Sequence, residues 1–124
     1  MIDNGYIKKK INIKEHPVYG KYGLFSTRKW EKFDILGEYF GEFCNYRESE
    51  YIVGVNLENF RGLCIDSQNI ECPMKYINHY QNIGSPNCKY VSVLIDNKPK
   101  IFLVVTENIN IGEEILADYK FNIN

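Results

Sequence analysis

Apolar positions in this chain recur in short runs, broken every few residues by glycine, asparagine or proline, and the runs are built largely from isoleucine, valine, leucine, tyrosine and phenylalanine. This spacing favours strands over helices, because β-branched and aromatic side chains suit a pleated surface and no apolar stripe is sustained at helical intervals. The pattern predicts strands over residues 7–13, 22–26, 35–43, 51–55 and 63–65. Residues 89–95 and 100–106 form the clearest pair, and Asp96-Asn97-Lys98-Pro99 between them supplies turn residues for an antiparallel hairpin. Short helical turns are expected at 45–51 and at 72–79, where Pro73 suits a first helical position. Residues 107–112 interrupt the regularity before a last strand-like segment at 114–119.

At 124 residues, 44% hydrophobic and 25% charged, the chain is expected to form one domain over residues 1–124 around a modest core. No apolar run approaches the roughly 20 residues of a membrane span, and the lysines near the N-terminus have no apolar stretch behind them. The expectation is an intracellular protein with no membrane partner. Cys44, Cys64, Cys72 and Cys88 lack a C-x-x-C pair, and His16 and His79 lie far from any zinc-like spacing, so buried free thiols are expected and no metal. A net charge of −1, with Lys8-Lys9-Lys10 as the lone lysine run, argues against direct nucleic-acid binding.

Candidate chemistry gathers in four segments: Lys21-Tyr22-Gly23-Leu24-Phe25; Gly37-Glu38-Tyr39-Phe40-Gly41-Glu42; Tyr76-Ile77-Asn78-His79, followed by Pro86-Asn87-Cys88; and Gly112-Glu113-Glu114-Ile115-Leu116-Ala117-Asp118-Tyr119. Each alone reads as a turn with core neighbours. In this order they resemble the SET-domain family of protein-lysine methyltransferases, whose pattern runs G-x-G, E-Y-x-G-E, R-F-x-N-H-S with P-N-C, and G-E-E-L-x-x-D-Y. The resemblance spans about 19–119, with Lys21 in place of the first glycine and Tyr80 in place of the usual serine.

The resemblance implies a mostly β, β-clip-like fold of several small sheets with short helices and a knot-like C-terminal crossing. It implies S-adenosyl-L-methionine as cofactor, held by Lys21, Tyr22, Gly23, Asn78 and His79. It also implies a protein substrate that presents a lysine in an extended segment, most readily a histone tail, which would place the protein in the nucleus or on chromatin. Glycine at 23 is expected where a Cβ would crowd a ligand, and the Asn78 side-chain carbonyl suits an ammonium.

Tyr119 is the expected centre of methyl transfer, its hydroxyl holding the amine or contacting the methyl while its ring walls a channel. Tyr39 and Tyr90 are further channel candidates. A hydroxyl at Tyr90 favours lower methylation states, whereas the small Ala117 favours extra room. Glu42, Glu48 and Glu50 are candidates for the substrate approach. The family's zinc-binding C-terminal cysteines do not follow Tyr119, so either Phe121 covers the adenine or a second subunit completes the site in a homodimer. A catalytically inactive module that binds peptide or cofactor is the alternative reading.

Overall fold

The computed structural model describes residues 4–119. Its strands are β1 (Tyr6–Lys10), β2 (Tyr22–Ser26), β3 (Ile35–Tyr39), β4 (Glu42–Asn45), β5 (Ile52–Gly54), β6 (Leu63–Asp66), β7 (Asn78–His79), β8 (Cys88–Ile95), β9 (Lys98–Val105) and β10 (Leu116–Ala117). They form a two-stranded sheet β1-β2, a five-stranded sheet ordered β3-β9-β8-β10-β7, and a three-stranded sheet β4-β6-β5. The mostly β expectation holds. Leu24, Leu36, Val53, Ile65, Ile77, Leu103 and Ile115, drawn from all three sheets and the segments between them, meet in a buried cluster.

The β8-β9 hairpin pairs in register from Cys88 with Val105 to Ile95 with Lys98. Its turn is tighter than the expected four residues: Asp96 and Asn97 alone make it, at φ +52° and +64°. Aspartate and asparagine tolerate the left-handed region better than most residues, and this two-residue geometry matches strand twist. Lys98 and Pro99 belong to β9.

The expected strand at 35–43 is two strands, because the chain turns at Phe40-Gly41. A Cβ on Gly41 would stand 2.4 Å from the Asp66 carbonyl oxygen, so only glycine lets these backbones meet. The expected helical turn at 45–51 is absent. Arg47 Nε donates to Asp66 Oδ2 at 2.9 Å and Ser49 Oγ to Asp66 Oδ1 at 2.8 Å, and these long-range bonds hold the segment in an irregular path against β6. At 72–79 the helical turn shrinks to a 3-10 turn over Pro73–Tyr76, followed at once by β7. A further 3-10 turn, Glu58–Phe60, had no sequence signal.

The last segment creates the expected crossing. Only Leu116–Ala117 of the predicted 114–119 strand is regular, and it lies between β7 and β8, parallel to both. The connection from β7 to β8 therefore spans β10. Asn87 fixes the crossing: its Nδ2 donates to Glu114 O at 3.0 Å, its Oδ1 accepts from Leu116 N at 2.9 Å, and its own backbone N–H donates to Leu116 O at 2.9 Å. A buried amide used in this way takes the place of a ladder rung where no neighbouring strand can supply one.

Candidate active site

β7 and the segment leaving β10 bring the key side chains together. Tyr119 follows β10 directly, and its backbone N–H donates to His79 Nδ1 at 3.1 Å while the two rings pack with centroids 5.2 Å apart. His79 thus orients Tyr119 through its ring, and a neutral ring in this arrangement carries its proton on Nε2. The Tyr119 hydroxyl donates to the Ile77 carbonyl. With its proton committed there, the phenol oxygen faces any further partner as an acceptor.

Tyr39, at the end of β3, is buried and donates its hydroxyl to the Tyr51 carbonyl. Tyr90, on β8, stands between the other two, its ring 6.0 Å from that of Tyr39 and 6.3 Å from that of Tyr119, both edge-on. All three tyrosines line one cavity of about 430 Å³, with Tyr46, Glu50, β5 and Lys75 on its other walls. Burial pushes all three phenols above their ordinary pKa; neighbouring charges add to the rise, while hydrogen bonds from Ser67 at Tyr39 and from Tyr90 at Tyr119 offset part of it. The same surroundings would oppose any unpaired charge brought into the cavity.

Beside this aromatic wall lies a polar cluster. Asn78 Nδ2 donates to Tyr22 O at 3.1 Å and to Glu114 Oε2 at 3.0 Å. Both bonds use the amide nitrogen, so Oδ1 is the atom left to accept. Glu114 also binds His16, Nε2 to Oε1 at 2.7 Å, with both side chains about nine-tenths buried. Gly23 packs against this cluster, where a Cβ would lie 2.9 Å from Glu114 Oε2 and 3.1 Å from Ile11 Cδ1. A Cβ at position 23 would thus crowd the protein's own side chains, whether or not a ligand approaches.

Tyr22, Gly23, Asn78 and Glu114 are brought together, as are Tyr39, Tyr90 and Tyr119. Lys21 stands apart from both groups. Its backbone N–H and carbonyl bond to Val18 O and Ile11 N, and its ammonium lies 3.4 Å from Glu50 at the cavity rim, both side chains exposed. Ala117 is fully buried in β10 and is not among the cavity-lining residues, so its small size says nothing of room there. Of the acidic candidates, Glu50 lines the cavity and Glu42 pairs with Arg47. Phe121 lies outside the described residues. All four cysteines are free; Cys64, Cys72 and Cys88 are buried and Cys44 is partly so.

Sequence reasoning missed the roles of Asn87, Glu114, His16 and the His79 ring. The signals were present in Pro86-Asn87-Cys88 and Gly112-Glu113-Glu114, but spacing does not name a partner.

The residues suit the cofactor that the sequence implies. Among the described residues β7 is the edge of its sheet, with no strand along one side of its backbone, and Asn78 offers a carbonyl to a cationic group beside it. Comparison with known proteins gives the same direction. The family model described as SET domain matches residues 21–120. N-lysine methyltransferase KMT5A-A of Xenopus laevis is 32% identical, over 90% of this chain and 37% of that protein. Histone-lysine N-methyltransferase set1 of Dictyostelium discoideum is 30% identical, over 94% of this chain and 8% of that protein. The chain thus spans little more than a third of the first relative and a small part of the second. Among solved structures, that of CpSET8 from Cryptosporidium superposes with a TM-score of 0.73 at 25% identity, covering 95% of this chain and 58% of that one. Chaetomium thermophilum polycomb repressive complex 2, at 20% identity and a TM-score of 0.73 over 92% of this chain and 15% of that one, shares the fold.

Proposed function

This chain belongs to the SET-domain family, and from that premise we propose that it transfers a methyl group from S-adenosyl-L-methionine to the side-chain amine of a lysine in an extended protein segment. The observation that carries the reading is the convergence of Tyr39, Tyr90 and Tyr119 on one cavity, with Asn78 and His79 directly after the carbonyl that holds the Tyr119 hydroxyl.

Transfer to an amine needs a free lone pair in line with the methyl group. Free lysine has a pKa of about 10.4, so near neutral pH roughly one molecule in a thousand is unprotonated. The tyrosine-lined cavity helps by desolvation: surroundings that push phenols toward their neutral form also push an ammonium toward its neutral amine. Tyr119 Oη, its proton given to Ile77, accepts a hydrogen bond from the amine and sets its lone-pair direction. S-adenosyl-L-methionine, when bound, supplies the activated methyl on a sulfonium. Asn78 Oδ1 would meet its ammonium, and the backbone at His79 on the sheet edge would hold its adenine.

A lysine-bearing segment fits as an added strand. β5 is an edge of its sheet and lines the cavity, so a peptide laid beside it gains backbone hydrogen bonds while one side chain enters. Glu50 at the rim favours a basic sequence. A histone tail has both properties, and the relatives named histone-lysine methyltransferases add support; such a substrate implies action on chromatin. Phe121, which lies outside the described residues, or a second subunit would cover Tyr119. An active monomer unaffected by Phe121→Ala would remove both assignments.

Incubation with methyl-labelled cofactor and histones, beside Tyr119→Phe, tests the reading. Label on lysine with the unaltered protein, and far less with the variant, is the expected result. A folded, cofactor-binding preparation that labels nothing across a broad panel of lysine-containing proteins would replace the enzyme with a binding module.

A further inference from the structure

Asn78 can meet an ammonium only if its amide is turned the right way, and an asparagine side chain has two nearly isosteric orientations. Here the choice is made by its neighbours. Glu114 Oε2 lies 3.0 Å and Tyr22 O 3.1 Å from Nδ2. Both are acceptors. Turning the amide over would set Oδ1 against two oxygens and strand two acceptors in a partly buried site, which costs far more than either bond is worth.

Glu114 is itself fixed. His16 donates from Nε2 at 2.7 Å, and the His16 ring is held in turn by the Val18 N–H, which donates to Nδ1 at 3.2 Å. That second bond makes Nδ1 an acceptor and so leaves Nε2 as the donor toward Glu114. The loop carrying His16 is folded by consecutive turns: Tyr19 N to His16 O, Lys21 N to Val18 O, and Gly20 N to Ile11 O, with Gly20 at φ +86°. From this loop His16 reaches across the sequence to Glu114, 98 residues away. On the other side the carboxylate abuts Gly23.

We propose that Glu114, anchored by His16, is a positioning residue that fixes the Asn78 amide so that Oδ1 faces the cofactor's ammonium. The proposal rests on the cofactor reading above. It assigns no contact with the reacting atoms to Glu114 or His16; both act through Asn78.

The test compares S-adenosylhomocysteine with its analogue lacking the α-amino group, each titrated by calorimetry against the unaltered protein and Glu114→Gln. The unaltered protein is expected to prefer the amino-bearing ligand by roughly 10- to 100-fold, the worth of a hydrogen bond to a charged group. In Glu114→Gln, whose amide can accept from Asn78 Nδ2 or, turned over, donate to Asn78 Oδ1, that preference is expected to shrink to within about threefold, while the analogue binds nearly as before. Equal weakening of both ligands would mean a merely structural role and overturn the proposal, as would an unchanged preference. Should Glu114→Gln fail to fold, His16 carries the test: His16→Ala is expected to reduce the preference, and His16→Gln, which keeps a donor toward Glu114, to restore it. A preference indifferent to both His16 variants also overturns it. If the unaltered protein binds neither ligand, the cofactor reading itself falls, which is a different failure.

Discussion

The aromatic wall and the polar cluster meet at Ile77-Asn78-His79, yet they treat charge in opposite ways. Around Tyr39, Tyr90 and Tyr119 the hydroxyl protons of two phenols are given to backbone carbonyls, and burial raises all three pKa values. Around Asn78 the chain instead buries an ionisable pair, Glu114 with His16, and satisfies it with an amide. A methyl acceptor must arrive without its proton, so its surroundings should resist charge. A cofactor ammonium keeps its charge, so its surroundings should offer oriented acceptors. One short strand, β7, carries the boundary between these two requirements.

The largest effect should follow from removing the acceptor on the aromatic side. Tyr119→Phe keeps the ring against His79 and Tyr90 but loses the hydroxyl held by Ile77. The turnover rate is expected to fall on the order of 100-fold, the scale seen when one preorganised polar contact to a reacting group is removed. Affinity for S-adenosylhomocysteine should stay within about twofold. Steady-state kinetics beside calorimetry separates the two, and an equal fall in both would erase the division between the two sides.

The aromatic side nevertheless depends on a charged support. The Tyr39 hydroxyl rests on the Tyr51 carbonyl, which also accepts the Ser67 N–H, and the segment leading to Tyr51 is tied to Asp66 by Arg47 and Ser49. Burial alone would push the Asp66 carboxyl up, but hydrogen bonds from Arg47, the Gln68 N–H and Ser49 outweigh it and hold the group below the usual carboxylate range. A carboxyl lowered in the folded state adds stability above its unfolded pKa of about 4, and that stability is lost as pH falls through the folded value. Asp66→Asn should therefore cost about 2 kcal/mol at neutral pH in urea unfolding, and flatten the acid limb of the stability curve. An unchanged acid limb would assign the acid sensitivity to other groups.

How far such features were legible in the sequence depends on the range of the forces that make them. The strand at 22–26 and the hairpin around Asp96-Asn97 follow from local preference and coincide, or nearly so, with the structure. The helical turn expected at 45–51 fails because Arg47 and Ser49 find a better partner in Asp66, a residue that nothing in that stretch announces. Tyr39, Tyr90 and Tyr119 could be named because the order of motifs put them in one family pattern. Glu114 could not, since two adjacent glutamates after a glycine look like any turn into a strand. Its partners, His16 and Asn78, stand 98 and 36 positions away. At Gly23 the sequence suggested crowding of a ligand, whereas the carboxylate 2.9 Å from the missing Cβ was visible only in three dimensions.

The smallest expected effect is also the most selective. Tyr90 stands edge-on between Tyr39 and Tyr119 on the cavity wall, and under the proposed reaction its hydroxyl would help set how much space and water remain around the amine. A water kept there by a phenol occupies volume that a second or third methyl group would need. Tyr90→Phe removes one oxygen and keeps the ring, so the first transfer should change by no more than about threefold, while the product distribution on a lysine peptide shifts toward higher methylation. Mass spectrometry over a time course resolves the states. A distribution that stays fixed while the first step slows would make Tyr90 a packing residue of the aromatic wall, and Tyr39 and Tyr119 would then define the space around the amine.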